Sequence, residues 1–119
     1  MPDHRLNCDL IVSARSEGDV AFATVRGEID LHNSPELREA LIELLEKAKP
    51  AKMILNLAEV PYMDSSAIAV LVEMLKRLGR PKGKLCLTYL QPRVQSLLEI
   101  ARLDSIFVCA KDDEEAMTK

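Results

Sequence analysis

Met53-Ile54-Leu55-Asn56-Leu57, then Ala58-Glu59-Val60-Pro61-Tyr62-Met63, then Asp64-Ser65-Ser66-Ala67-Ile68-Ala69-Val70-Leu71 is the stretch on which the fold turns. Its first five residues are short and nearly continuously apolar, the pattern of a strand covered on both faces and therefore central in a sheet. Residues 58–64 read as a loop. From residue 65 to 78, Ile68, Leu71, Val72, Leu75 and Leu78 recur at helical spacing, and Gly79 stands where a helix C-terminal cap is wanted. A buried strand, a loop and an amphipathic helix make one step of a parallel crossover.

Toward the N-terminus, residues 10–14 and 20–25 are two β-rich runs separated by Arg15-Ser16-Glu17-Gly18-Asp19, a turn-forming cluster. They predict an opening hairpin. Asn33-Ser34-Pro35-Glu36 then starts a helix: Ser34 can cap free amides, Pro35 suits the first helical position, and Glu36 favours the positive dipole end. Leu37, Leu41, Leu44, Leu45 and Ala48 carry its apolar face, and Pro50 stops it. Toward the C-terminus, residues 84–89 form a strand, Pro92 opens a helix with Val94, Leu97, Leu98 and Ala101, and residues 106–110 form the last strand. The charged tail after it, 111–119, has room for a short helix at most.

The predicted order is β-β-α-β-α-β-α-β, an α/β domain with a mostly parallel mixed sheet that opens with a hairpin and carries helices packed on it. At 119 residues the chain holds one domain, 1–119, with its core at about 8–110. Apolar residues are 48% of the chain and aromatics 3%, with no Trp, so the core is aliphatic and aromatic stacking platforms are disfavoured. Sixteen Lys and Arg against nineteen Asp and Glu give a net charge of -3, without the cationic face that nucleic acid needs. The N-terminus lacks a secretory pattern and no segment reaches the length of a membrane span, so a cytoplasmic chain without membrane insertion is expected.

Cys8, Cys86 and Cys109 are odd in number, far apart and each in a strand-like run, so buried free thiols are expected rather than disulfides. His4 and His32 are isolated, so no metal site and no cofactor are expected. No Gly-rich phosphate loop, nucleophile elbow or placed His base is present, which argues against an enzyme. Lys76, Arg77, Arg80, Lys82 and Lys84 read as a solvated basic cluster at the end of the second helix. Beside Asp64, Met63 is expected to be buried and Tyr62 exposed.

Function is expected in the loops at the strand ends. Asp64, Ser65 and Ser66 lie where a helix leaves free amides and partial positive charge. Asp and Ser are ordinary caps there. A phosphoryl group on one serine is the functional reading, because about -1.5 to -2 of charge is tolerated at such an end while the exposed surface changes sign. Asp30, before the first helix, either satisfies loop amides or meets a partner. An aspartate after a central strand also suits a response-regulator receiver, but a receiver begins strand-helix with an acidic pair, and this chain begins with a hairpin.

Gly27-Glu28-Ile29-Asp30, Leu37-Arg38, Ile54-Leu55-Asn56-Leu57, Asp64-Ser65-Ser66 and Leu103-Asp104-Ser105-Ile106-Phe107 together resemble the STAS domain of bacterial anti-sigma factor antagonists, over residues 10–109. That resemblance implies phosphorylation of Ser65 by a serine/threonine kinase that doubles as the anti-sigma factor, reversal by a metal-dependent serine phosphatase, and kinase binding only by the unphosphorylated form. It also implies that Asp30, Asn33, Asp64 and Ser66 lie near the partner-binding surface. Where the family usually has glycine, this chain has Ala67 and Ala69, which favour a firmer helix by about 1 kcal/mol per site. The alternative is a constitutive STAS interaction module, a scaffold or lipid-transport accessory subunit, whose serines only cap the helix.

Overall fold

The computed structural model describes residues 4, 6, 8–79 and 83–119. Strands β1 (Ile11–Glu17), β2 (Val20–Arg26), β3 (Lys52–Glu59), β4 (Lys84–Thr88) and β5 (Val108–Ala110) form one sheet in chain order. Only β1 and β2 pair antiparallel; the other three neighbouring pairs run parallel. β3 is the central strand, as its apolar run requires. The helices are α1 (Ser34–Ala48), α2 (Ser65–Leu78), α3 (Pro92–Ile100) and α4 (Asp113–Thr118).

The hairpin is tighter than the turn cluster suggested. β1 runs on to Glu17, which faces Val20, so the loop is Gly18-Asp19 alone. Gly18 takes a φ of +63°, and a two-residue loop with a positive φ at its first residue twists in the sense of the flanking strands.

Side chains alternate across β3, and each face meets a different cover. Met53, Leu55 and Leu57 belong to the main aliphatic core with Leu37, Leu41 and Leu44 of α1, Ile68, Leu71 and Met74 of α2, and Val94 and Leu98 of α3. Ile54 faces the other way, into a small cluster with Phe22, Cys86, Ala110 and Ala116 of α4. The acidic tail therefore becomes a six-residue lid over the second face. Asp112 caps it by accepting from the Glu115 amide at 2.8 Å, and Thr88 Oγ1 donates to Asp113 at 2.7 Å. Lys52 Nζ donates to the carbonyls of Ala116 and Lys119, at 2.8 and 2.7 Å, quenching the negative end of the helix.

Four local expectations are corrected. Ser34 does not cap α1; it is buried within the first turn, and Asn33 occupies the cap position. β4 ends at Thr88 because Tyr89 turns into the left-handed region, φ +54°. β5 starts at Val108, two residues late, because the amides of Ile106 and Phe107 are bonded to the Leu103 carbonyl and cannot join the ladder. Cys8 lies outside any strand and, like Cys109, is only partly buried, leaving Cys86 as the fully enclosed thiol; all three are free, and burial pushes the Cys86 and Cys109 thiols up. Arg80 and Lys82 of the basic cluster lie outside the described residues. Among the described residues no helix is long and apolar enough to cross a membrane.

α3 closes with Arg102 at φ +59°, its amide bonded to Glu99 O and the next amide, of Leu103, bonded to Leu98 O at 2.8 Å. Such a helix end favours glycine, because a Cβ in the left-handed region is crowded. Arg102→Gly is expected to raise unfolding free energy by about 0.5–1 kcal/mol in urea titration.

Candidate functional site

Two loops meet at the C-terminal ends of β2 and β3. Near the end of β2 the ladder shifts register between Thr24 and Arg26, and Gly27, at φ +86°, turns the chain while its amide stays bonded to Glu59 O at 2.8 Å. The turn delivers Ile29 to Met63, where an isolated parallel bridge forms: Ile29 N donates to Tyr62 O at 3.1 Å and Asp64 N donates to Ile29 O at 3.0 Å. Both bridged side chains are buried. Asp30 and Asp64, 34 positions apart in sequence, are thereby fixed at one end of the domain.

Asp30 and Asn33 lock the first loop together. The Asp30 carboxylate accepts from the amides of His32 and Asn33 at 2.9 and 3.2 Å. Asn33 Oδ1 in turn accepts from the Asp30 amide at 2.8 Å, and its Nδ2 donates to Glu28 O at 2.9 Å. This is why Asn33 makes no cap bond to α1: its amide is committed backwards, to the loop. The tight turn leaves Leu31 protruding, 74% exposed.

Asp64 caps α2. Its Oδ1 accepts from the Ser66 amide at 2.9 Å and from the Ser66 hydroxyl at 2.5 Å. The Ser66 hydroxyl bond is the main reason the carboxyl titrates below the usual carboxylate range; the amides of Ser66, Ala67 and Leu31 add to it and partial burial opposes it.

The two serines differ. Ser66 is partly buried with its hydroxyl committed, whereas Ser65 is exposed and, among the described residues, its hydroxyl holds no hydrogen bond. Capping is therefore the work of Asp64, and Ser65 takes no part in it. The alanines also differ: the Ala67 methyl is buried in the core, and only the Ala69 methyl reaches the surface. Met63 is buried and Tyr62 is not, as expected; Tyr62 is partly covered, with the Arg93 guanidinium 4.7 Å from its ring centre.

A shallow groove between α1 and α2 starts beside this end, lined by Ser34, Pro35, Ser66 and Ala69, and is closed by Arg38 and Glu73. Arg38 grips Glu73 in a two-pronged pair at 2.6 and 2.8 Å, and Arg77 adds a third bond at 2.9 Å. The Arg38 and Arg77 bonds hold the Glu73 carboxyl at about 2. The role of Arg38 as an interhelix clasp was not legible from its place in Leu37-Arg38; helical spacing puts it on the exposed face, with nothing to reveal that α2 lies alongside. Among the described residues no cluster of His, Cys, Asp or Glu is arranged to hold a metal ion.

The STAS domain family profile matches residues 12–116 of the chain. The anti-sigma-B factor antagonist of Bacillus subtilis (strain 168) is 35% identical over 100 residues, which cover 83% of this chain and 89% of that protein. The anti-sigma factor antagonist SpoIIAA in its unphosphorylated form superposes with a TM-score of 0.74 at 20% identity, over 87% of this chain and 90% of its own. The phosphorylated form of Bacillus SpoIIAA superposes with a TM-score of 0.66 at 19% identity, over 88% and 95%.

Because the Glu73 carboxyl titrates lower in the fold than its ordinary 4.5, the clasp stabilises fully above that value and fades as pH falls toward 2. Melting temperature between pH 5 and 2.5 is expected to fall less steeply for Glu73→Gln than for the wild type; parallel curves would show that the clasp contributes nothing. Ala69→Gly, at an exposed helical position, is expected to lower unfolding free energy by about 1 kcal/mol without altering the folded spectrum.

Proposed function

Because the chain belongs to the STAS domain family, we propose that it works as an anti-sigma factor antagonist, a non-catalytic cytoplasmic switch that binds an anti-sigma factor serine/threonine kinase when unmodified and releases it when Ser65 carries a phosphoryl group. The observation that carries this reading is the Ser65 hydroxyl, exposed and unbonded at the first position of α2, beside a cap that does not need it. A modification there adds charge without removing a bond that holds the domain together.

The charge suffices for a switch. About -1.5 to -2 charges brought within 4 Å of a partner's acidic group, at an effective dielectric near 20, cost on the order of several kcal/mol, or more than a hundredfold in affinity. The positive end of α2 offsets part of the new charge within the domain, so the fold tolerates it. In this reading the docking face is the bridged end of the sheet: Asp30 and Asn33 hold the first loop in shape, Asp64 and Ser66 hold the second, and Ser65 stands between them and the partner. A metal-dependent serine phosphatase resets the switch.

Incubation with the cognate kinase and ATP, followed by peptide mass spectrometry, is expected to label Ser65, with no label on Ser65→Ala. Ser65→Asp is expected to weaken kinase binding in calorimetry by tenfold or more while changing unfolding free energy by less than about 1 kcal/mol. Equal affinity of Ser65→Asp and wild type would refute the switch, and recovery of scaffold or transporter subunits instead of a kinase in pull-down would point to a constitutive module.

A further inference from the structure

We propose that Ser66 is a positioning residue for the modification of Ser65: by donating its hydroxyl to Asp64 Oδ1 it holds that carboxylate off the neighbouring hydroxyl and so keeps Ser65 free to react. This rests on the reading of Ser65 as a phospho-acceptor and adds a requirement to it.

In phosphoryl transfer the Ser65 oxygen attacks the γ-phosphorus of the kinase's ATP. An Oγ–P bond forms, the bond from that phosphorus to the bridging oxygen breaks, ADP leaves with the electron pair, and the hydroxyl proton passes to a base of the kinase or to water. The attacking hydroxyl must therefore be free to turn its proton to the kinase's own base and must not carry a second negative charge into the path of the γ-phosphate. Asp64 precedes Ser65 directly, and its carboxylate is an adjacent group able to interfere in both ways.

Two bonds from Ser66, from its amide at 2.9 Å and its hydroxyl at 2.5 Å, turn the carboxylate forward along the helix. Removing the Ser66 hydroxyl leaves a lone pair on an ionised oxygen without a donor, and the Ser65 hydroxyl is the adjacent replacement. Burial separates the pair as well: Ser66 is partly buried at the head of the groove with Pro35 and Ala69, and its hydroxyl oxygen lies 2.5 Å from the Asp64 carboxylate, whose charge repels a phosphate aimed at it.

The experiment pairs kinase assays on wild type, Ser66→Ala and Ser66→Thr with carbon-detected NMR titration of the Asp64 carboxyl in each. Ser66→Ala is expected to lose about tenfold or more in kcat/KM for labelling of Ser65, because a hydrogen bond to an ionised group carries roughly that factor. Its Asp64 midpoint is expected to move up toward the ordinary carboxylate range, its melting temperature to stay within about 4 °C of wild type, and Ser66→Thr to restore both rate and midpoint. A Ser66→Ala protein labelled at the wild-type rate or an unmoved Asp64 midpoint overturns this inference alone, whereas a phosphoryl group found on Ser66 in place of Ser65 overturns it together with the reading of Ser65. Unlabelled wild type overturns it together with the reading of Ser65 on which it rests.

Discussion

The short bridge between Ile29 and Met63 is the constraint on which the functional end of the molecule depends. Two main-chain hydrogen bonds, at 3.1 and 3.0 Å, join the loops beyond the last β2–β3 pair, Arg26 with Glu59. Both side chains at the bridge are buried, so apolar burial holds it shut. Below the bridge lies an aliphatic core; above it stand Asp30, Leu31, Asp64 and Ser65. In the proposed switch, a phosphoryl group added above this joint alters the face a partner meets and leaves the core beneath untouched.

In the proposed switch, adjacent side chains at that end divide two tasks between them. A cap must accept free amides, and a modification site must offer an unoccupied oxygen; one hydroxyl cannot do both. Asp64 takes the capping, Ser66 completes it through amide and hydroxyl, and Ser65 between them keeps its oxygen in solvent. The same economy holds in the first loop, where Asp30 and Asn33 satisfy each other and the surrounding amides and leave Leu31 protruding from a rigid turn. Rigid presentation reduces the ordering that a partner must impose on docking.

Much of this was legible in the order of residues. The alternation of apolar runs, the turn cluster around Gly18 and the stops at Pro50 and Gly79 yield the element order and the central place of β3, because each rests on a local pattern and a period. Boundaries strayed where the main chain chose another partner. Phe107 has the composition of a strand residue, yet its amide goes to Leu103; Tyr89 belongs to a β-rich run, yet a left-handed turn ends β4 before it. Ser34 looked like the ideal cap but was drawn inside, since the loop bonds of Asn33 set the point at which the helix begins.

What the sequence alone determined is the kind of domain this is and the position of its one informative loop, since apolar periodicity and capping chemistry act over a few residues at a time. The tertiary structure decided which loop that one faces, which of two adjacent hydroxyls is free, and that Arg38 clasps Glu73 and Lys52 closes the tail helix. Those pairings link positions 34, 35 and 64 residues apart, and long side chains and main-chain amides have many possible partners until the sheet has brought particular ones within 3 Å.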